Sequence, residues 1–277
     1  VQVYTHAHVL AGPRLAPMRD AVIRVQDGRI ASIGPEPEPV TGTAGLDLGG
    51  AWVLPAFVNA HTHIADTAGK ELAGGLDVEH GMSAPDSAKN RLLRSLDEAA
   101  LQASIRQGAL EMLRHGICAF GDFREGGLAG VRALRQACAG LPIRAVALGR
   151  PLFTPGMDDA ARVREMEAVA AEADGFGIGG LEAFGLGPLQ QLRAILGDGL
   201  LAIHLAESPR ETARCLAEHG ETEIVRALRA APDLMVHLTH ATPHDLDLLA
   251  ARGQQAVFCP RSNMALADGI PPLAGAY

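Results

Sequence analysis

Two histidines one residue apart, His61 and His63, close the apolar run PAFVNAHTH. Side chains alternate faces along a strand, so residues i and i+2 point the same way. Two imidazoles at one strand end can therefore meet a single cation. Further on, His204 ends the run LLAIHLAE with Glu207 three residues later, and His237 and His240 end the run LMVHLTH. A satisfied core histidine explains one such placement. Three strand ends carrying imidazoles, with a carboxylate beside one of them, point to a shared site. Imidazoles with few thiolates suit zinc, iron or another borderline divalent ion. A catalytic ion needs an open position for a water, whose pKa it lowers toward ~7. A carboxylate such as Glu207 can carry that water's proton to a leaving group, and a histidine just outside the ligand set can polarise the carbon under attack.

The other histidines fit bland roles. His115 and His219 each precede a glycine, Gly116 and Gly220, at helix ends where a cation complements the dipole. His6 and His8 lie in a β-rich amino-terminal segment, and His80 and His244 in loop-like or helix-start sequence. None of these is expected to be a ligand.

The elements that must position the strand-end residues can be read from Ala51 onward. Short apolar runs (AWVLPAFVNA, ICAFGDF, IRAVALG, GFGIGG, LLAIHLAE, LMVHLTH, QAVFC) alternate with helical-period segments such as LDEAALQASIRQGALEMLRHG and SPRETARCLAEHG. That alternation implies parallel strands joined by crossovers. About seven units in a row, with no G-x-G-x-x-G after the first strand, favour a (β/α) barrel over an open doubly wound sheet. In such a barrel chemistry sits at the carboxyl ends of the strands, where these histidines fall. Residues 1–50 read instead as a small β-module. Two β-rich runs flank Asp27-Gly28, a dipeptide that favours a tight hairpin, and the Pro-rich PEPEPV reads as an exposed loop. The expected organisation is a β-sandwich-like module over 1–50 and a metal-binding barrel over 51–277.

The bulk numbers are compatible with this. A chain of 277 residues, 48% hydrophobic and 20% charged, can bury a large core, and 4% aromatics mean that core is aliphatic. A net charge of −8 argues against a nucleic-acid footprint, which needs a basic face. Cys118, Cys138, Cys215 and Cys259 are scattered without a C-x-x-C pair, and are expected to be reduced core residues, with Cys118 and Cys259 in buried strands. No apolar run approaches the ~20 residues of a membrane span, and VQVYTHAHVL does not read as a signal peptide. A cytoplasmic location, no membrane association and a small-molecule substrate are expected, with a homodimer left open.

The segments PAFVNAHTH, IHLAES, MVHLTH and FCPRSN, in this order, resemble the amidohydrolase superfamily, specifically its cytosine deaminase-like and chlorohydrolase-like branch. The β-module ahead of the first barrel strand is also similar to that family, so the resemblance covers essentially the whole chain. It implies a TIM-type (β/α)₈ barrel holding one divalent metal ion, with zinc expected ahead of iron. By motif position His61, His63 and His204 would be ligands and Glu207 the proton shuttle. His237, or His240 in its stead, would contact the metal or the attacked group. Arg261 and Asn263 in PRSN would lie on a substrate-contacting loop, and Arg124 in GDFREGG could meet an anionic or carbonyl group of the substrate. Relatives with two metals bridge them by a carboxylated lysine on strand four. The two lysines here, Lys70 and Lys89, both follow strand one, so one ion is expected.

The family's strand-eight aspartate, usually in a Gly-Thr-Asp context, has no counterpart before the sequence ends at IPPLAGAY; the last acid is Asp268. The expectation is a barrel lacking its last unit in this chain, incomplete at the C-terminus, rather than a degraded family member. The expected activity is hydrolysis of a C–N bond, deaminating a ring amidine of a nitrogen heterocycle. A cyclic amide hydrolase of the imidazolone or dihydroorotase kind, or a non-catalytic ligand-binding barrel, are the alternatives.

Overall fold

Each apolar run that carries a candidate histidine forms, or leads out of, a parallel strand in the computed structural model, which describes residues 1–35, 45–84 and 86–275. Contacts divide the chain into two units, Val1–Phe57 and Val58–Tyr277.

The first unit is a β-module. Strands β1 (Gln2–Ala11), β2 (Ala16–Gln26), β3 (Arg29–Pro35) and β4 (Leu46–Asp47) lie in the order β3-β2-β1-β4, and β5 (Trp52–Val53) also pairs with β1. Asp27 and Gly28 turn the β2–β3 hairpin with φ of 51° and 73°, and Gln26 pairs with Arg29 across it. Positive φ at both central residues is the two-residue turn whose twist matches the strands. Ala7, Val9, Ala21 and Ile23 form the module's core. Apart from Pro35, the stretch PEPEPV lies outside the described residues. The run from Ala51 to Ala60, read above as one strand, is two: β5 belongs to the module and β6 (Phe57–Thr62) to the barrel. Pro55, which has no N–H to give a ladder, separates them.

The second unit is the barrel. Strands β6, β7 (Ile117–Arg124), β8 (Arg144–Gly149), β9 (Gly175–Ile178), β10 (Leu200–Leu205), β11 (Leu234–His237) and β12 (Gln255–Val257) neighbour one another in chain order, all parallel. This is a TIM-type barrel with seven strands described. The crossovers carry α1 (Ala88–Ser95), α2 (Glu98–Arg114), α3 (Gly127–Cys138), α4 (Asp159–Ala170), α5 (Leu181–Phe184), α6 (Leu186–Leu196), α7 (Pro209–His219), α8 (Glu223–Ala227) and α9 (Pro243–Ala251), with α10 (Pro260–Ala265) after β12. Local chemistry sets their starts. Asp97 and Asp158 accept from backbone amides of the first turns of α2 and α4, and Thr242 with Asp245 makes a capping box ahead of Pro243. Gly220 closes α7 with φ 69°. His115 and His219 sit at helix ends, as their spacing before glycine implied.

Two apolar layers follow from strand alternation. Phe123, Leu148, Ala202 and Val236 pack together in one cluster, one residue from each of β7, β8, β10 and β11. Their chain neighbours Ile203, Leu205 and Met235 pack with helix residues such as Leu134, Leu192 and Ile224 in the larger cluster. Each fully buried aliphatic side chain there contributes about 1.5–3 kcal/mol of transfer free energy. The cysteines form no disulfide among the described residues. Cys118, however, is exposed rather than buried, because it stands near the amino-terminal end of β7, before the strand enters the core, and Cys259 is partly buried and lies beyond β12, at the start of α10. No described helix is long and apolar enough to cross a membrane.

Helix α3 approaches the end of β7 closely. A Cβ on Gly130 would fall 1.9 Å from the carbonyl oxygen of Glu125. Replacing Gly130 with Ala forces that backbone apart, and the expected cost is about 1–3 kcal/mol. Urea unfolding should show it as a lower midpoint at unchanged slope.

Candidate metal centre and active-site cavity

Four imidazoles converge above Phe123. The His61 and His204 ring centroids stand 4.5 Å and 4.7 Å from that of Phe123, and His61 lies 4.7 Å from His204 and 5.5 Å from His237. His61, His204 and His237 each offer a ring nitrogen within 4.8 Å of the others, enough to share a metal ion. His63 joins from the other side, its Nε2 3.1 Å from Nε2 of His204.

The tethers of these rings explain why. His204 Nδ1–H donates to the Ile178 carbonyl at 2.8 Å. His63 Nδ1–H donates to Glu125 Oε1 at 2.9 Å. His237 Nδ1–H donates to Asn263 Oδ1 at 2.9 Å, and the Asn263 amide is oriented by donating its N–H to Thr239 Oγ1. A neutral imidazole with its proton on Nδ1 presents a bare lone pair at Nε2. The Nε2 atoms of His63 and His204 thus face each other as two acceptors at 3.1 Å. Two such lone pairs repel unless a proton or cation lies between them, and burial keeps protons off. It holds His61 and His204 well below the usual histidine range, pulls His63 down to about 4 with help from Lys89, and lowers His237. His61 Nδ1 is buried with no hydrogen-bond partner among the described residues. Neutral imidazoles, converging lone pairs and an orphaned nitrogen fit a divalent cation.

Alternation brings three of these histidines inward but not the fourth. Ala202 packs in the inner cluster, so His204 two residues on faces the same way. On β11 the inner residue is Val236, and strict alternation would turn His237 outward. The chain instead takes φ of 74° at His237 and 52° at Leu238, and His237 meets the cluster. Likewise Ala206, with φ 49°, breaks the alternation after β10 and leaves Glu207 on the cavity wall. Non-glycine residues at positive φ are uncommon and gather where function needs a side chain re-aimed.

The histidines line a cavity of about 370 Å³, with Glu207, Lys89, Glu125, Arg150 and Ser262 among its other walls. Glu207 Oε1 lies 3.3 Å from His237 Nε2. Burial, reinforced by Asp268 and Glu211, pushes the Glu207 carboxyl up to about 8. A carboxyl held there is largely protonated near neutral pH. His240 faces away, giving its Nε2–H to the Asp268 carbonyl at 2.8 Å.

Three residues expected at the substrate are not among those that line this cavity. Arg124 follows Phe123, which takes the inward place, so the guanidinium turns outward. It is 1% exposed, bonded to Glu125 Oε2 at 2.8 Å and facing Asp122 Oδ2 at 3.4 Å. Arg261 is exposed and lines a neighbouring cavity. Asn263 lies behind His237 and orients it; its neighbour Ser262 reaches the cavity.

Four residues at the cavity escaped the sequence reading. Lys89 Nζ stands 2.8 Å from Glu125 Oε1 and 3.1 Å from Asp66 Oδ2. Burial raises the Glu125 carboxyl, but Lys89, His63 and Arg150 together hold it well below the usual range. Arg150, at the end of β8, lies 4.0 Å from Glu125. Glu223 accepts from the Ala206 N–H at 3.2 Å and from Thr212 Oγ1 at 2.9 Å, bracing the turn before Glu207. A strand-end rule could have flagged Arg150; Lys89 and Glu223 lie on helices and gave no signal.

The model of the amidohydrolase family matches residues 52–277. A putative aminohydrolase of Methanothermobacter thermautotrophicus is 35% identical, the match covering 98% of this chain and 71% of that protein. A 5-methylthioadenosine/S-adenosylhomocysteine deaminase of Nitratidesulfovibrio vulgaris is 29% identical over 92% of this chain and 60% of its own length. The chain thus spans between three fifths and three quarters of these two curated relatives. Among solved structures, atrazine chlorohydrolase from Arthrobacter aurescens, complexed with zinc, superposes with a TM-score of 0.81. It covers all of this chain and 69% of that one, and at 15% identity it speaks for the fold.

Burial raises the Glu223 carboxyl from 4.5 to about 6. Its neutral form is favoured by folding, so it makes stability fall as pH rises from about 4.5 through about 6, then level off. Glu223→Gln removes that slope. Relative to wild type it should gain up to about 2 kcal/mol between pH 3.5 and 7, at about 1.4 kcal/mol per unit. Denaturant titrations at several pH values check this.

Proposed function

This chain belongs to the amidohydrolase family, and from that premise we propose that it is a metal-dependent aminohydrolase releasing ammonia from a ring amidine of a nitrogen heterocycle. The observation that carries this reading is the convergence of four imidazoles, three of them tethered through Nδ1, beside a carboxyl group, at the carboxyl ends of barrel strands, inside a cavity large enough for one heterocycle. The two curated relatives, named as an aminohydrolase and a deaminase, support the reaction class.

His61, His63 and His204 would hold one divalent ion through ring nitrogens, with His237 close enough to His61 and His204 to reach the same ion. Zinc suits an all-imidazole set without thiolates and is the ion in the chlorohydrolase complex. When bound, the ion supplies an acidified water and a Lewis-acid field. One ion suffices for the residues present, since β9 carries no lysine and Lys89 is engaged with Glu125 and Asp66. Glu207 takes a proton at Oε1 and returns it to the departing amine; a carboxyl held at about 8 can do both near neutrality. His237, oriented by Asn263, stands against Glu207 to stabilise charge developing on the ring. The net change replaces a C–NH₂ bond by C=O, consuming water and releasing ammonia.

Purified protein should carry a stoichiometric divalent metal, and chelation should abolish turnover. Glu207→Gln should lower kcat by about 10²–10⁴-fold while leaving metal content unchanged. Ammonia release across a heterocycle panel is the assay. Absence of metal, or full turnover by the Gln variant, contradicts the mechanism; product without ammonia would shift the reaction to cyclic amide hydrolysis.

A further inference from the structure

We propose that Glu125 is a positioning residue of the metal centre: it holds His63 as the Nδ1–H tautomer, with Nε2 aimed at the position shared with His204, and Lys89 clamps Glu125 for that task. The inference rests on the metal reading above and concerns residues outside the three ligands and Glu207.

The geometry singles out Glu125. Its Oε1 accepts from His63 Nδ1 at 2.9 Å and from Lys89 Nζ at 2.8 Å, while its Oε2 accepts from Arg124 Nη2 at 2.8 Å. The carboxylate is therefore pinned at both oxygens and cannot swing away from the imidazole. Arg124, turned out of the cavity, and Lys89, on α1, reach it from two different elements. A neutral histidine can carry its proton on either ring nitrogen, and the hydrogen bond made by one nitrogen decides which keeps it. His204 is told by a backbone carbonyl and His237 by an amide oxygen. His63 is the one of these three tethered by a charged partner. Such partners orient ligands and raise their basicity, and removing them typically costs about 10–100-fold in metal affinity.

The simpler alternative makes Glu125 only a counter-ion for the buried Lys89 and Arg124, with His63 a bystander. The two readings differ in whether Glu125 acts through His63.

The probe is zinc, with its Kd for the purified chain measured by chelator competition. Glu125→Ala should weaken binding by about 10–100-fold. Glu125→Gln, which keeps an oxygen to accept from Nδ1–H, should weaken it less. In a His63→Ala background, Glu125→Ala should add no further loss. In zinc-free protein, ¹⁵N shifts of the His63 ring should report Nδ1–H in wild type and in Glu125→Gln, and a loss of that preference in Glu125→Ala. If Glu125→Ala does not fold, Glu125→Met combined with Lys89→Met removes the acceptor without stranding the ammonium, and the same losses are expected of it. Equal weakening with and without His63, or unchanged affinity and tautomer, overturns the inference while leaving the proposed reaction standing. Wild-type protein that binds no zinc would instead defeat the proposed reaction, and the tautomer measurement would still decide the role of Glu125.

Discussion

Everything at the mouth of this barrel depends on where three protons sit. A backbone carbonyl, an amide oxygen and a carboxylate each hold the Nδ1 proton of one imidazole. With those protons spoken for, the Nε2 lone pairs face inward, and burial keeps the rings neutral. A cluster of bare acceptors at 3.1 Å is unfavourable alone and favourable around a cation. The site is thus a consequence of its outer partners as much as of the histidines, and those partners come from β9, α10 and the residue that follows β7 rather than from the strands that carry the rings.

The same arrangement sets two carboxyls of the cavity, Glu125 and Glu207, apart. Lys89, Asp66, Glu125 and Arg150 form a linked set beside His63, in which Glu125 stays ionised. On the other side burial with Asp268 and Glu211 outweighs the pull of Lys89 on Glu207 and pushes its carboxyl up to about 8. Two acids within one cavity therefore hold different protonation states, because Lys89 and Arg124 bond directly to one while burial dominates the other. One is suited to orienting, the other to moving a proton.

Legibility followed strand geometry. His61, His63 and His204 could be read as co-directed because alternation is a local rule, and the parallel barrel followed from the regular change between apolar runs and helical segments. Asp27-Gly28 marked its hairpin for an equally local reason. His237 and Glu207 were found through their motifs, but their orientation rests on positive φ at Ala206, His237 and Leu238, which alternation does not predict. Arg124 illustrates the converse: its place at a strand end looked functional, yet the inward position had already gone to Phe123.

The amino-acid sequence by itself determined the fold class, the strand ends that matter and the residue types that could hold a metal and move a proton. These depend on periodicity and spacing, which act between near neighbours in the chain. Only the tertiary structure decided which nitrogen of each ring is free, that Lys89 and Glu125 meet His63, and that Asn263 backs His237 rather than facing a substrate. Those contacts join residues between 26 and 62 positions apart, and no local rule relates them. They exist because the curling sheet brings distant strand ends to one rim, where each polar atom must find its partner out of water.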